Sequence, residues 1–368
     1  MFIDDAAVLA DLASGAAFLG SGGGGDPYYS LLLAEAALAR CGRFEVVSLA
    51  DVADDALLAP CGWIGAPTVS VEKLPNGNEA VFGLRRLEEI MGKRIDAVLP
   101  IEIGGGNGLA PFIAAAELGI PIVDCDGMGR AFPESQMAIF NIRGLSACPS
   151  VLTAADGSLS VIETEDNITH ERIARALAVS LGGIAHMVEY PLSGAEAKAH
   201  AVPSSISAAI AVGRAVREAR AVGDDPFAAL GRALEATGLY PHCLPLFDGK
   251  IVDLERETRG GFSVGKVTID GFGDSGQMEI EFQNENLVAT SGGKVLAMVP
   301  DIITVMDRDT ADTITTEKLK YGQRVKVIAA AAPDILRDAR ALSFVGPRAF
   351  GMGFDYIPVE SLNETETA

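Results

Sequence analysis

The sequence predicts an α/β N-terminal domain with a largely parallel sheet, followed by a β-rich C-terminal domain of barrel or sandwich type. Up to Asp124, nearly all-apolar strands alternate with helical runs, as in a sheet buried under helices. From Asn167 to Thr237 the chain reads as helices. From Ile251 to Val345 it breaks into short alternating runs separated by Gly-rich turns. The expected division is 1–165 for the α/β part, 166–245 for a helical bridge and 246–362 for the β-rich part, with the end of the chain returning to the α/β domain.

Taken in order, Asp4 to Leu19 carries apolar residues at helical spacing and runs into Ser21-Gly22-Gly23-Gly24-Gly25-Asp26-Pro27. A second helix follows from Tyr28 to Arg40. Phe44–Leu49 and Gly62–Gly65 read as strands, and Phe82–Met91 as a helix. Ala97–Ile101 is a strand, Leu109–Leu118 a helix and Pro121–Asp124 a short buried strand. Asn167 gives an N-cap-like signal before the helix Thr169–Leu181, and Ser204–Arg220 and Phe227–Thr237 are further helices. Strands then follow at Lys266–Ile269, Met278–Phe282, Leu287–Ala289, Val295–Val299, Ile302–Val305 and Arg324–Ile328. Asn363 to Ala368 reads as a frayed tail.

At 368 residues and 49% apolar content, the chain has ample material for a core without disulfide or metal staples. Its 29 Lys and Arg stand against 50 Asp and Glu, for a net charge of −21. No basic cluster marks a nucleic-acid footprint, and the same balance argues against docking on an anionic membrane. The five cysteines are widely spaced with no CxxC, which reads as reduced thiols in a cytoplasmic protein. The N-terminus is acidic, unlike a signal or transit peptide. Leu177–Val188 comes nearest to a spanning segment but is too short and contains His186. An acidic protein of this size is expected, on base rates, to be a symmetric homo-oligomer.

Three loops carry candidate chemistry. Four consecutive glycines, Gly22 to Gly25, let backbone N–H groups approach a ligand, and Asp26 opens the next helix with its positive end toward an anion. The bland reading is a plain helix–helix turn. The loop lacks the Gly-Lys-Ser/Thr of a phosphate-binding motif, and the absence of lysine ranks an ATP-dependent enzyme lowest. The second loop, Glu102-Ile103-Gly104-Gly105-Gly106-Asn107-Gly108, follows a strand and precedes a helix. This places Glu102, Gly105 and Asn107 at the rim where α/β folds bind ligands. The third, Asp124 to Glu134, is the densest polar cluster. Asp124, Asp126 and Glu134 are candidates for acid–base work, and Arg130 for a carboxylate clamp. Its bland reading is a salt-bridged turn. Cys125, the one thiol in a polar cluster, is a candidate nucleophile, although two aspartates would raise its pKa.

In the β-rich part, Gln283-Asn284-Glu285-Asn286 ends a strand. Asn284 and Glu285 are suited to reading a ring amide or urea edge, the alternative being a polar hairpin tip. His170, His186, His200 and His242 form no metal-ligand spacing. A divalent metal held by Asp124, Asp126 and Glu134 would nonetheless serve to activate water, and the sequence leaves the cofactor open.

The segments GSGGGGDP (Gly20–Pro27), EIGGGNGLAP (Glu102–Pro111), DCDGMGRAFPE (Asp124–Glu134) and FQNENLVA (Phe282–Ala289) together resemble the S-methyl thiohydantoin desulfurase-like family, formerly DUF917. The resemblance continues through PDIITVMD (Pro300–Asp307), TEKLKYGQRV (Thr316–Val325) and GPRAFG (Gly346–Gly351). It implies an N-terminal α/β and a C-terminal β-rich part. It also implies hydrolytic removal of sulfur from a thiohydantoin or S-methyl thiohydantoin carrying a propionate, giving a hydantoin and methanethiol or sulfide. A hydantoinase- or oxoprolinase-type protein is the implied partner, and a non-catalytic subunit of such an enzyme is the alternative function. On the enzyme reading, Asp124 or Asp126 activates water, Glu134 is the acid and Arg130 holds the propionate or ring oxygen. The Gly22–Gly25 and Gly104–Gly106 amides, with Gly23, Gly24 and Gly25 nearest the ligand, stabilise anionic charge.

Overall fold

Four parallel strands form the centre of the first sheet in this computed structural model, which describes residues 1–66, 69 and 73–364. They are β2 (Phe44–Ser48), β3 (Leu57–Gly65), β4 (Ala97–Pro100) and β5 (Ile122–Asp126), in the spatial order β2-β5-β4-β3. All four residues of β4 are buried, which is why that strand is a continuous apolar run. The sheet is mixed at its flanks. The short β1 (Phe2–Ile3) runs antiparallel to β2, and beyond β3 lie β8 (Ile184–Val188), β6 (Ser150–Thr153) and β7 (Leu159–Ile162), also antiparallel. Two short strands, β9 (Leu192–Ser193) and β10 (Val202–Pro203), add to β3 and β5.

The stretch 166–245 is therefore not helical throughout, since it supplies β8, β9 and β10. Its first helix, Asn167–Ser180, is capped one residue earlier than expected. Asp166 accepts the Thr169 N–H at 2.8 Å, while the Asn167 amide donates to Leu145 O and Asn141 Oδ1. The run Leu177–Val188 is a helix end, a turn at Gly182-Gly183 and strand β8. Among the described residues no helix is long and apolar enough to cross a membrane.

The second sheet is wholly antiparallel and curled. Its strands are β11 (Cys243–Arg259), β12 (Phe262–Gly271), β13 (Gln277–Gln283), β14 (Glu285–Ser291), β15 (Lys294–Met298), β16 (Ile302–Asp307) and β17 (Arg324–Ala330), in the order β15-β14-β13-β12-β11-β17-β16. The 17-residue β11 spans two partners, β17 at its start and β12 at its end, with register shifts between Pro245 and Phe247 and between Ile251 and Asp253. These irregularities let one strand bend around the curl. Ile251, Val267, Ile280, Phe282 and Val327 fill its interior.

The two sheets share packing. Ile302, Met306 and Ile328 of the second belong to the same core cluster as Leu9, Phe18 and Phe112 of the first unit. After β17 the chain leaves the second sheet, and the helix Ala339–Val345 packs with Ile139, Phe140 and Ile142. Asn363 is not free at its end: its amide donates to Leu296 O at 2.8 Å and to Val359 O at 2.7 Å. The last four residues of the expected tail lie outside the described residues.

The helices Ala6–Leu19 and Ser205–Val222 cross with their backbones in contact. A Cβ at Gly15 would lie 1.9 Å from Ala209 O, and one at Gly213 would lie 1.9 Å from Asp11 O. Gly15→Ala is therefore expected to destabilise the protein by about 1–3 kcal/mol through overpacking. Gly231, inside the helix Pro226–Ala236, has room for a methyl group, with its nearest neighbour Cys243 Sγ at 3.7 Å. Gly231→Ala is expected to stabilise by roughly 0.5–1 kcal/mol. Denaturant midpoints of the two variants would show the opposite signs.

Candidate active site

The β13–β14 hairpin turns at Asn284, whose φ is +58°. Ser263 holds both ends of that residue: Asn284 N donates to Ser263 O at 2.7 Å, and Ser263 N donates to Asn284 Oδ1 at 2.8 Å. The next two residues reach the glycine loop of the first unit. Asn286 N donates to Ser21 O at 2.7 Å, and Gly24 N donates to Glu285 Oε1 at 3.3 Å. Thr316 N adds a bond to Gly22 O at 2.9 Å. A Cβ at Gly23 would fall 1.9 Å from Glu285 Oε1, so glycine there is what admits the carboxylate. The second glycine loop locks onto the first: Gly106 N donates to the carbonyls of Gly24 and Gly25 at 3.0 Å each.

A cleft of about 120 Å³ opens beside this junction. At roughly 10–15 Å³ per water-sized group, it has room for a small ring with a substituent. Its walls come from Gly24–Asp26, the end of β3, the Glu102–Asn107 turn, Phe132–Ser135, the helix Asn167–Ser180, β8 and the hairpin tip. Glu102 is fixed from two sides, with Asn107 Nδ2 donating to Oε1 at 2.6 Å and Phe132 N donating to Oε2 at 2.9 Å. Asn107 is itself held by Trp63 N, which donates to its Oδ1 at 2.6 Å. Burial pushes Glu102 above the ordinary carboxylate range against those two hydrogen bonds. Glu285 is pushed up well beyond its usual value by burial and by Glu102, with Arg130 opposing. On another wall, Ser135 Oγ makes a close hydrogen bond to Glu189 Oε2, while Arg175 pairs with Glu171 at 2.6 Å. Burial pushes Glu189 up to about 8.

Of the residues expected in a site, Glu102, Asn107, Glu134, Asn284 and Glu285 meet at this cleft, together with Gly24, Gly25 and Asp26. Gly23 and Gly105 stand behind it, where they let the loops pack. Three of the amides expected to stabilise an anion are already engaged: Gly23 N donates to Gly20 O, Gly24 N to the Glu285 carboxylate and Gly106 N to carbonyls. Asp124, Cys125 and Asp126 do not line the cleft. Asp124 turns to Ser207, whose N–H donates to Oδ1 at 3.0 Å. Cys125 is wholly buried in an apolar cluster, and burial, then Asp126 and Asp124, raise its thiol well above its usual value. Asp126 Oδ2 accepts the N–H groups of Ile103, Met128 and Gly129 at 2.9, 3.1 and 2.7 Å, tying two loops together. Burial still lifts it to about 6.

Arg130 is fully buried rather than offered to a ligand. It donates to the carbonyls of Ala131, Pro300 and Asp301 at 2.7–3.0 Å and lies over the Phe132 ring. The proposed oxygen ligands Asp124, Asp126 and Glu134 thus face different partners. Among the described residues no group of three or more His, Cys, Asp or Glu is arranged to hold a metal ion.

Glu171, Arg175, Glu189 and Ser135 were missed in the sequence. Their signals were faint: Glu171 and Arg175 share a helix face at i,i+4, and Glu189 is the first charge after the apolar run ending at Val188.

Family models match the chain in two consecutive parts. Residues 7–164 match the S-Me-THD-like N-terminal domain, and residues 165–359 match the S-Me-THD-like C-terminal domain. The chain belongs to the S-Me-THD-like family. A crystal structure of a protein from Chromobacterium violaceum is similar, with a TM-score of 0.79, over 98% of this chain and 100% of that one. Its identity is 23%, so that likeness shows the fold alone. No curated protein matches the chain.

The buried carboxylates give this S-Me-THD-like protein a pH-dependent stability. Glu189 ordinarily titrates at 4.5 and in the folded chain at about 8. Between those values the folded state keeps a proton that the unfolded state has lost, so stability falls as pH rises from about 4.5 to about 8. Glu189→Gln, which keeps an acceptor for Ser135, is expected to flatten that decline by at most about 1.4 kcal/mol per pH unit. Urea denaturation at pH 5, 6, 7 and 8 would measure the difference in slope.

Proposed function

We propose that this S-Me-THD-like protein hydrolyses a thiohydantoin or S-methyl thiohydantoin carrying a propionate, releasing sulfide or methanethiol and leaving a hydantoin. The observation that carries this reading is the pair Glu102 and Glu285: two buried carboxyl groups, one from each sheet unit, on one cleft. Confined like charges favour holding one proton between them, which gives an acid and a base in the same site.

The reacting carbon of the S-methyl substrate is bonded to two nitrogens and a sulfur. Its one ring N–H and its imine nitrogen match the two carboxyl groups on the cleft, Glu102 and Glu285, one as acceptor and one as proton donor. Protonation of the ring nitrogen by one carboxyl group makes that carbon electrophilic, and a neighbouring carboxylate stabilises the resulting cation. The other carboxylate takes a proton from water as its oxygen bonds to the carbon. Collapse of the tetrahedral adduct expels the sulfur. Glu134, also on the cleft wall, remains a candidate acid. With Arg130 turned inward, Arg175 and Lys73 are the cleft cations that suit the propionate. A purely non-catalytic subunit gives no reason to bury Glu102 and Glu285 at the edge of a cleft, since desolvating carboxyl groups is costly.

Incubating the purified protein with S-methyl thiohydantoin propionate is expected to release methanethiol, followed in the headspace, and the unmethylated ring tests for sulfide. Glu285→Gln retains an acceptor for Gly24 N and is expected to lower turnover by roughly 10²–10⁴. Cys125→Ala is expected to retain turnover. No thiol or sulfide from either ring would sink the reading.

A further inference from the structure

Ser135 and Glu189 form a wall of the cleft that the scheme above leaves unused. Ser135 begins the short turn Ser135–Met137, and Glu189 directly follows β8. Both line the cleft, and both are buried, at 6% and 2% exposure. Three side chains fix Ser135. Its N–H donates to Glu171 Oε2 at 3.0 Å, its carbonyl accepts from Tyr190 Oη at 3.1 Å, and its hydroxyl is held by Glu189. Arg175 pairs with Glu171, so Glu189 faces a hydroxyl where a buried carboxylate would ordinarily face a cation.

We propose that Ser135 and Glu189 are the proton donor to the departing sulfur, with the Ser135 hydroxyl touching the sulfur and Glu189 supplying the proton behind it. This assignment rests on the hydrolytic reading above. When Glu189 is protonated, its O–H donates to Ser135 Oγ, and the serine hydrogen is free to turn into the cleft. As the tetrahedral adduct collapses, its hydroxyl proton passes to the carboxylate that protonated the ring nitrogen, the C=O bond forms, and the C–S bond breaks with its electron pair staying on sulfur. The Ser135 proton passes to sulfur, and the Glu189 proton replaces it on Oγ. The thiol leaves neutral and Glu189 is left ionised. The carboxyl group that took a proton from water gives one back to Glu189 through solvent once the cleft empties, which restores the starting state.

The surroundings of Glu189 suit this task. Burial raises it, Ser135 pulls it down, Glu171 and Glu102 raise it further, and Arg175 opposes them; the balance, about 8, leaves it protonated at neutral pH. Ser135 is held in place by groups that need no substrate, so the donor is positioned in advance.

An alkyl thiolate needs a proton in order to leave, whereas an aryl thiolate, being far less basic, needs it much less. The test compares wild type, Ser135→Ala and Glu189→Gln on S-methyl and S-phenyl thiohydantoin propionate, following thiol release. Both variants are expected to lose roughly 10²–10⁴ in kcat on the S-methyl ring, with a loss on the S-phenyl ring about tenfold or more smaller. Above about pH 8 the wild-type kcat is expected to fall more steeply than that of Glu189→Gln, in which only the proton shared by Glu102 and Glu285 is left to be lost. Equal losses on both rings, in variants that melt like wild type, would overturn the assignment and leave the hydrolytic reading standing. A wild type that releases thiol from neither ring overturns both. If Ser135→Ala does not fold, Glu189→Gln carries the same comparison.

Discussion

The tip of the β13–β14 hairpin reaches the first unit only because no side chain stands at Gly23. That contact is backbone against carboxylate, and any Cβ would occupy the space of Glu285 Oε1. The other joins follow from it. Asn286 and Thr316 bond to the same loop at Ser21 O and Gly22 O, and Gly106 ties the loop to the turn that carries Glu102 and Asn107. The two carboxyl groups are therefore set relative to each other by main-chain hydrogen bonds, which have less freedom than long side chains.

The charges around this junction are arranged at some cost. Arg130 is buried to the last atom and has its own affinity for protons lowered to about 10, burial outweighing the carboxylates of Glu285, Asp301 and Glu102. Its Nη1 donates to the carbonyls of Pro300 and Asp301, and so pins the second sheet to the loop after β5. Asp301 extends the link. Its carboxylate accepts from Ala332 N and Val359 N at 2.8 Å, and from the Tyr356 hydroxyl, which holds the returning end of the chain. One buried cation thus serves as a structural pin and as the charge that opposes the rise in Glu285.

Much of the fold was legible because it is written in period and punctuation. The parallel strands are apolar runs, the helices end at Gly42, Gly119 and Gly223, and the second sheet alternates. What was not legible is local geometry that depends on distant partners. Strand β11 hides its length behind Pro245, Gly249 and charged residues, because only its partners β12 and β17 show that it is continuous. The site was half legible for the same reason. An aspartate after a buried strand serves either a ligand or the backbone, and at Asp126 the chain curls back so that three N–H groups claim one oxygen. Glu102 and Glu285 were identifiable by their loops, but that they share a cleft follows from tertiary packing. Ser135 and Glu189, 54 residues apart, meet only in the folded chain.

Because the two carboxyl groups come from positions 102 and 285, neither sheet unit holds the complete pair. A chain still emerging from synthesis, with its first unit folded and its second absent, carries half a site. On the proposed hydrolytic reading, the long sequence separation that slows folding also acts as a safeguard, since the acid–base pair is withheld until the whole molecule has assembled. It also makes the hairpin tip a place where ligand preference can drift without disturbing the first sheet, provided the residue facing it remains glycine.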